Sequence, residues 1–212
     1  MGIFTSNLIK KLGDDNFRKV QSAHIGIAGA GGLGSNCALN LARTGFKKLT
    51  ITDFDIIDES NLDRQFYFLD QVGRKKVETL KENLLRVNPE LKISTLNKKI
   101  ERSDVAAVFG DCDAVAECFD KAENKSFLVE ELLKMGKFVV TVSGLGGFGA
   151  SDDIKVRKVK NNLIMIGDMK SDISNKPAIS PRVNIAAAKQ ADVILEYILG
   201  TILHTSCNKN SK

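Results

Sequence analysis

The chain has 212 residues, 43% of them hydrophobic and 27% charged, with 3 Pro and no Trp. That length suits one medium domain with some elaboration, and the composition excludes disordered, collagen-like and disulfide-stapled chains. The formal charge of +5, from 31 basic and 26 acidic residues, suits an anionic ligand or an acidic partner without requiring either.

The first six residues, Met1 to Ser6, fit the loose myristoylation pattern, which is short enough to arise by chance, and they read as an ordinary N-terminus. Leu8 to Val20 has helical spacing, so residues 1–22 are expected to form an N-terminal helix packed outside a sheet. From residue 24, short apolar runs alternate with amphipathic helical patterns, the order expected when helices cross between parallel strands. His24 to Ala28 is a predicted strand, Leu33 to Thr44 a helix ended by Gly45, and Leu49 to Asp53 a second strand. Val72 to Val87 reads as a helix stopped by Asn88-Pro89, Leu91 to Leu96 as a strand, and Asp104 to Phe109 as a short helix. Ala114 to Cys118 is a strand and Ala122 to Met135 a helix closed by Gly136. Phe138 to Val142 is almost entirely β-branched or aromatic, as a strand covered on both faces should be.

Beyond Gly149 the rhythm changes. Ile154 to Val159 and Asn162 to Ile166 alternate around Lys160-Asn161, which predicts an antiparallel hairpin finishing the sheet. Lys155, Arg157, Lys158 and Lys160 in its first strand read as a solvated face, and no aromatic interleaving suggests a nucleic-acid surface. A polar segment follows from Gly167 to Ser180, then Pro181 stands at the start of a helix from Arg182 to Leu199, with Gly200 as its stop. Residues 23–200 are thus expected to form one α/β nucleotide-binding domain, followed by a polar tail over 201–212. Its mostly parallel sheet has helices on both faces and an antiparallel hairpin extending it.

The four cysteines are Cys37, Cys112, Cys118 and Cys207, and none forms a C-x-x-C pair. They predict reduced thiols in a cytoplasmic setting and no structural zinc. No apolar run approaches the roughly 18 residues of a membrane span, so no membrane partner is expected. Of the two histidines, His24 begins a strand and reads as structural, and His204 lies in the tail.

Gly29-Ala30-Gly31-Gly32-Leu33-Gly34 follows the first strand and opens a helix, and Asp53 closes the next strand. This is the Rossmann-like nucleotide context. The glycines let the backbone turn sharply and approach phosphate, the helix N-terminus offers N–H groups to an anion, and Asp53 can accept from ribose hydroxyls. These residues leave NAD, FAD and ATP all open. Two further cations, Arg64 in Asn61-Leu62-Asp63-Arg64-Gln65 and Lys76 in Lys76-Val77-Glu78, would suit a triphosphate.

From about Ala23 to Gly200 the chain resembles the ubiquitin-activating-like adenylyltransferases of the ThiF, MoeB and HesA family. Gly29 to Gly34, including Gly31 and Gly32, matches its nucleotide loop, and Asp53-Phe54-Asp55 matches its ribose-binding strand end. Asn61, Arg64 and Gln65 match its N-L-x-R-Q motif, and Lys76 matches its K-V-E lysine. Asp120 stands where the family has a magnesium aspartate, with Lys121 in place of the usual Asn. Ser180-Pro181-Arg182-Val183 with Ala186 to Gln190 looks like the short, zinc-free ThiF form of thiamine biosynthesis.

The resemblance implies ATP and Mg2+ as cofactors, a homodimer, and a ubiquitin-like sulfur carrier whose C-terminal Gly-Gly carboxylate attacks the α-phosphate. It assigns Arg64 and Lys76 to the phosphates, Asp120 to the metal, and Asn61 and Gln65 to positioning. Arg18, 11 residues before Gly29, takes no role as a partner's arginine finger. The run Ser143 to Gly149 is expected to let the carrier's tail approach the nucleotide. With no cysteine between Cys118 and Cys207, the activity is expected to end at adenylation, with sulfur supplied by a separate donor. The alternatives are an NAD-dependent oxidoreductase, a silent carrier-docking member, and an activator of a tRNA base or a peptide carboxylate.

Overall fold

The computed structural model describes residues 3–172 and 175–201. Two short helices, α1 (Ile3–Leu12) and α2 (Asp14–Ser22), lead in. They replace the single helix expected over Leu8 to Val20, because Gly13 takes φ 78° and ψ 160°, which no helix accommodates. Strand β1 (His24–Ala28), helix α3 (Gly32–Thr44) and strand β2 (Lys48–Thr52) follow. The helix expected from Val72 starts at Lys76, as α4 (Lys76–Val87). Leu69–Gln71 is a separate 3-10 turn, and the stretch before α4 is tied back to the end of β2 by Gly73 N donating to Ile57 O and Lys76 N donating to Asp55 O.

The chain continues through β3 (Lys92–Leu96), α5 (Val105–Phe109), β4 (Ala114–Glu117), α6 (Ala122–Lys134) and β5 (Phe138–Val142). It closes with β6 (Lys155–Lys160), β7 (Leu163–Gly167) and α7 (Ser180–Leu199). The sheet order is β3-β2-β1-β4-β5-β7-β6, and only the β6–β7 pairing is antiparallel. Because β7 lies parallel beside β5, β5 is an internal strand, and all five of its residues are buried. β6 is one edge of the sheet, and five of its six residues are exposed, as expected for its basic run.

Two apolar layers cover the sheet. Ile25, Ile27 and Ile51 belong to the layer shared with Leu41 of α3, Leu80 of α4 and Ile194 of α7. Val115 and Val139 belong to the other, with Phe109 of α5 and Leu128 and Leu132 of α6. No helix among the described residues is long and apolar enough to cross a membrane.

β4 pairs with β5 only from Ala114 to Ala116, whereas β5 continues along β7 to Val142. The strand order reverses between β1 and β4, and a crevice opens at their carboxyl ends, the usual ligand position in such sheets. Gln190 of α7 is fully buried and donates to Glu117 O at 3.1 Å and Val140 O at 3.2 Å, bridging the divergence.

A buried ion pair fixes the other end of α7. Arg182 donates to Asp168 Oδ2 at 2.5 Å and to Gly149 O at 2.7 Å. Asp168 also accepts from Lys170 N and Ser171 N, each at 2.8 Å. Burial alone would raise the Asp168 pKa, but the hydrogen bonds from Ser171 and Lys170 and then the Arg182 charge hold it down at about 2. The folded value lies below the unfolded one near 3.8, so the stabilisation is complete above about pH 4 and is lost as pH falls toward 2. Asp168→Asn should therefore lower the unfolding free energy in urea at neutral pH by roughly 2 kcal/mol, a deficit about 1 kcal/mol smaller at pH 3. A deficit that does not change with pH would show that charge is not what Asp168 contributes.

Candidate nucleotide site

The turn after β1 is shaped by close backbone approach. Gly29 has φ 103°, and a Cβ there would stand 2.8 Å from Cys118 O. A Cβ on Gly34 would meet Gly29 O at 1.8 Å, so α3 packs onto the turn only because this residue has no side chain. No side chain caps α3. Its first N–H groups therefore have no intrahelical partner, and with the positive end of the helix dipole they form an anion position.

The sequence-predicted acids brace this turn. Asp53 accepts from Ala30 N at 2.6 Å through Oδ2 and from Asp55 N at 2.9 Å through Oδ1. Asp55 receives Lys76 Nζ at 2.9 Å, and Lys76 is buried. The Tyr67 hydroxyl donates to Ala30 O at 2.8 Å. Burial first, then the negative charges of Asp53 and Asp55, push the Tyr67 phenol above its ordinary pKa. Sequence reading did not single out this tyrosine.

The N-L-x-R-Q segment is a built turn. Asn61 accepts from Asp58 N through its side-chain oxygen at 3.1 Å, and its carbonyl accepts from Gln65 N at 2.9 Å and Arg64 N at 3.2 Å. Asn61 thus shapes the backbone that presents the other two. Gln65 Nε2 lies 3.9 Å from where a Gly31 Cβ would stand, and its Oε1 is buried without a hydrogen-bond partner among the described residues. A ligand donor at the glycine turn would satisfy it. The Arg64 guanidinium donates to Ser60 O at 2.9 Å and Asp63 Oδ1 at 2.6 Å, and its side chain is 30% exposed.

A cavity of about 780 Å³ opens beside the start of α3, a size usual for small-molecule sites. Gly32, Arg64 and Asp120 line it together with Lys125, Ser143 and Gly144. The two cations expected to converge are divided. Arg64 reaches this cavity, whereas Lys76 is not among its lining residues and is held by Asp55 next to the turn. Among the described residues no three His, Cys, Asp or Glu side chains gather into a metal site. The exposed carboxylate of Asp120 fits a magnesium ion that takes its other ligands from phosphates and water, a mode common for this cation.

The glycine run after β5 is approached by a second backbone, but that backbone belongs to this chain. A Cβ on Gly146 would meet Lys176 O at 2.7 Å and Asp172 O at 2.8 Å, and Gly146 and Gly147 bridge to Ala178. The passage expected for a partner's tail is therefore filled at Gly146.

Cys37, Cys112 and Cys118 are buried and free. Burial pushes the Cys37 and Cys112 thiols up to about 12 and Cys118 well above its ordinary value. His24 Nε2 sits 2.8 Å from Thr50 Oγ1 at the start of β1, the structural position expected for it. Arg18 pairs with Asp15 on the exposed face of α2 and does not line the cavity. Cys207, His204 and Gly2 lie outside the described residues.

Sequence reading also missed Glu117, Lys125 and the Asp168–Arg182 pair. Glu117 carried a usable signal, since a carboxylate inside the apolar run Ala114-Val115-Ala116-Glu117-Cys118 must find partners when buried.

The two ends of the glycine motif should respond differently to one added methyl. Gly34→Ala should cost about 3 kcal/mol or more, because the clash is with backbone. Gly31→Ala, at φ −78° with only the Gln65 amide 3.9 Å away, should stay within about 1 kcal/mol of wild type. Equal losses in urea unfolding would remove the packing role assigned to Gly34.

The sequence pattern of the ThiF family matches residues 5–211. The adenylyltransferase and sulfurtransferase UBA4 of Eremothecium gossypii is 36% identical over 132 residues, covering 62% of this chain and 30% of that protein. SUMO-activating enzyme subunit 2 of Dictyostelium discoideum is 38% identical over 105 residues, 49% of this chain and 16% of that protein. Molybdopterin-synthase adenylyltransferase of Haemophilus influenzae is 34% identical over 122 residues, 57% of this chain and 50% of that protein. The chain spans half or less of the length of these curated relatives. The crystal structure of the E. coli tRNA N6-threonylcarbamoyladenosine dehydratase TcdA in complex with ATP superimposes with a TM-score of 0.86 at 20% identity, covering 95% of this chain and 96% of that one. At that identity the likeness shows the fold. Across nearly its whole length, therefore, the chain belongs to the ThiF family.

Proposed function

We propose that the chain is an ATP-dependent adenylyltransferase that activates the C-terminal Gly-Gly carboxylate of a ubiquitin-like sulfur carrier protein. The observation that carries this reading is the single cavity shared by the start of α3, Arg64 and Asp120. The names of the relatives support it, since UBA4 and the H. influenzae protein are adenylyltransferases and the D. discoideum protein is a SUMO-activating subunit.

In this reaction a carboxylate oxygen of the carrier bonds to the α-phosphorus of ATP and the α–β anhydride bond breaks. The products are the carrier acyl-adenylate and pyrophosphate. The carboxylate is already ionised at neutral pH, so no general base is required. Catalysis then reduces to alignment and charge stabilisation. The N–H groups opening α3 bind phosphate oxygens, Arg64 neutralises charge that develops during transfer, and Gln65 binds at the glycine turn. Asp53 and Asp55 take the ribose side, with Lys76 holding Asp55 in place. Asp120 holds magnesium, which when bound neutralises phosphate charge.

Sulfur comes from a separate donor in this reading, because the described cysteines are buried and their thiols are raised. The Ser180 to Val183 pattern favours thiamine biosynthesis as the pathway, in a cytoplasmic homodimer.

ATP–pyrophosphate exchange tests the reading. Exchange that appears only when a Gly-Gly-ended carrier is added is the expected result. Nicotinamide binding without exchange would favour an oxidoreductase, carrier binding without exchange a docking protein, and exchange driven by tRNA a different acceptor. Arg64→Ala should lower exchange at least about a hundredfold, the loss of one oriented transition-state donor. Wild-type exchange in that variant would take Arg64 out of the mechanism.

A further inference from the structure

A second charged pair, of which Lys125 lines the cavity, has no role in the reaction as derived. Glu117 ends β4 and is completely buried. Its Oε2 accepts from Thr141 Oγ1 of β5 at 2.6 Å and lies 3.0 Å from Lys125 Nζ of α6. Its Oε1 accepts from Phe119 N at 2.7 Å. Lys125 lines the cavity with Arg64 and Asp120. One carboxylate therefore grips the chain on both sides of Asp120, at the backbone of the preceding residue and at a side chain in the first turns of the following helix.

A buried ion pair is a weak source of stability compared with apolar residues of the same volume. Its place at the root of a short loop that bears an exposed carboxylate is better explained by orientation. We propose that Glu117, together with Lys125 and Thr141, is the positioning unit that sets Asp120 for binding of the magnesium–nucleotide complex. Glu117 itself is fully buried, is not among the cavity's lining residues, and acts through Lys125 and the Phe119 backbone. The inference rests on the adenylation reading. Groups that orient a metal ligand from behind typically change metal affinity by about 10- to 100-fold when removed.

Calorimetric titration of the full chain with ATP, with and without magnesium, tests this apart from turnover. The variants are Glu117→Gln/Lys125→Met, which leaves neither ion buried alone, Lys125→Arg, which keeps the charge, and Thr141→Val. Thermal unfolding checks that each is folded. Wild type should bind ATP more tightly with magnesium. The double variant should lose about tenfold or more of that increment, read against its own metal-free ATP affinity because Lys125 lines the cavity, and Lys125→Arg should retain the increment.

A folded double variant with the full magnesium increment overturns the proposal. So does a loss that falls equally on metal-free ATP, the mark of a merely structural role. If the double variant does not fold, Thr141→Val removes one donor from the same carboxylate and decides by the same comparison, with a smaller expected loss. Wild type that binds ATP with no magnesium increment overturns this inference alone, whereas wild type that binds no ATP refutes the adenylation reading along with it.

Discussion

The site depends on where β4 and β5 part. Past Ala116 and Val140 the two strands no longer pair, and the carbonyls of Glu117 and Val140 lose the ladder partners they would otherwise share. In a buried setting each such orphan costs free energy comparable to a lost hydrogen bond. Gln190 donates to both, so the divergence is held open by a side chain from α7. The same helix packs against the glycine turn, where Val183 Cγ1 lies 3.0 Å from the position of a Gly32 Cβ. Strand divergence, helix placement and the anion position thus fix one another.

Several charges around that opening are paired, and exposure decides what each pair can do. Lys76 opposite Asp55 has a side chain only 7% exposed, and Arg182 opposite Asp168 only 5%, so both cations are committed to fixed partners, Lys76 to the Asp55 carboxylate and Arg182 to Asp168 and the Gly149 carbonyl. Arg64 is 30% exposed and its partner Asp63 59%, which leaves that pair screened by water and weakly held. On the proposed reading, a polyphosphate in the cavity would compete for the Arg64 guanidinium on favourable terms. The site is therefore tightly paired at Lys76 and Arg182 and lightly paired at Arg64, which on the proposed reading leaves a preorganised place for an entering anion.

What could be read from the sequence follows the range of the forces involved. The strands, the glycine turn and its acid are local patterns with a fixed period or spacing, and they lie where those patterns place them. The start of α4 did not, because backbone bonds from Gly73 and Lys76 to residues near Ile57 override a helical apolar rhythm that begins at Val72. Lys76 and Arg64 look alike as isolated cations, and only the tertiary position of Asp55 separates their surroundings. The contacts of Asp168 with Arg182 and of Glu117 with Thr141 join residues 14 and 24 positions apart, for which no local spacing rule exists. Gly146 illustrates the remaining ambiguity, since glycine in sequence announces that some backbone will come close without saying whose.

On the proposed reading, the described cysteines set where the chemistry stops. A thiol takes part in acyl transfer as its thiolate, and the thiolate fraction near neutral pH falls tenfold for each unit that the pKa rises. With Cys37 and Cys112 pushed up to about 12, that fraction is vanishing, and burial that raises the pKa also excludes a carrier's terminus. Cys118 is nearest the chemistry, since its carbonyl lies against the glycine turn, yet its Sγ faces Gln190 Oε1 at 3.7 Å within the core. To expose that sulfur, the bond network that keeps β4 and β5 apart would have to open, and the nucleotide position would be lost with it. On the proposed adenylation reading, attack by any of these three thiols is therefore incompatible with a formed site, and the acyl-adenylate would be resolved by a nucleophile from outside the described core.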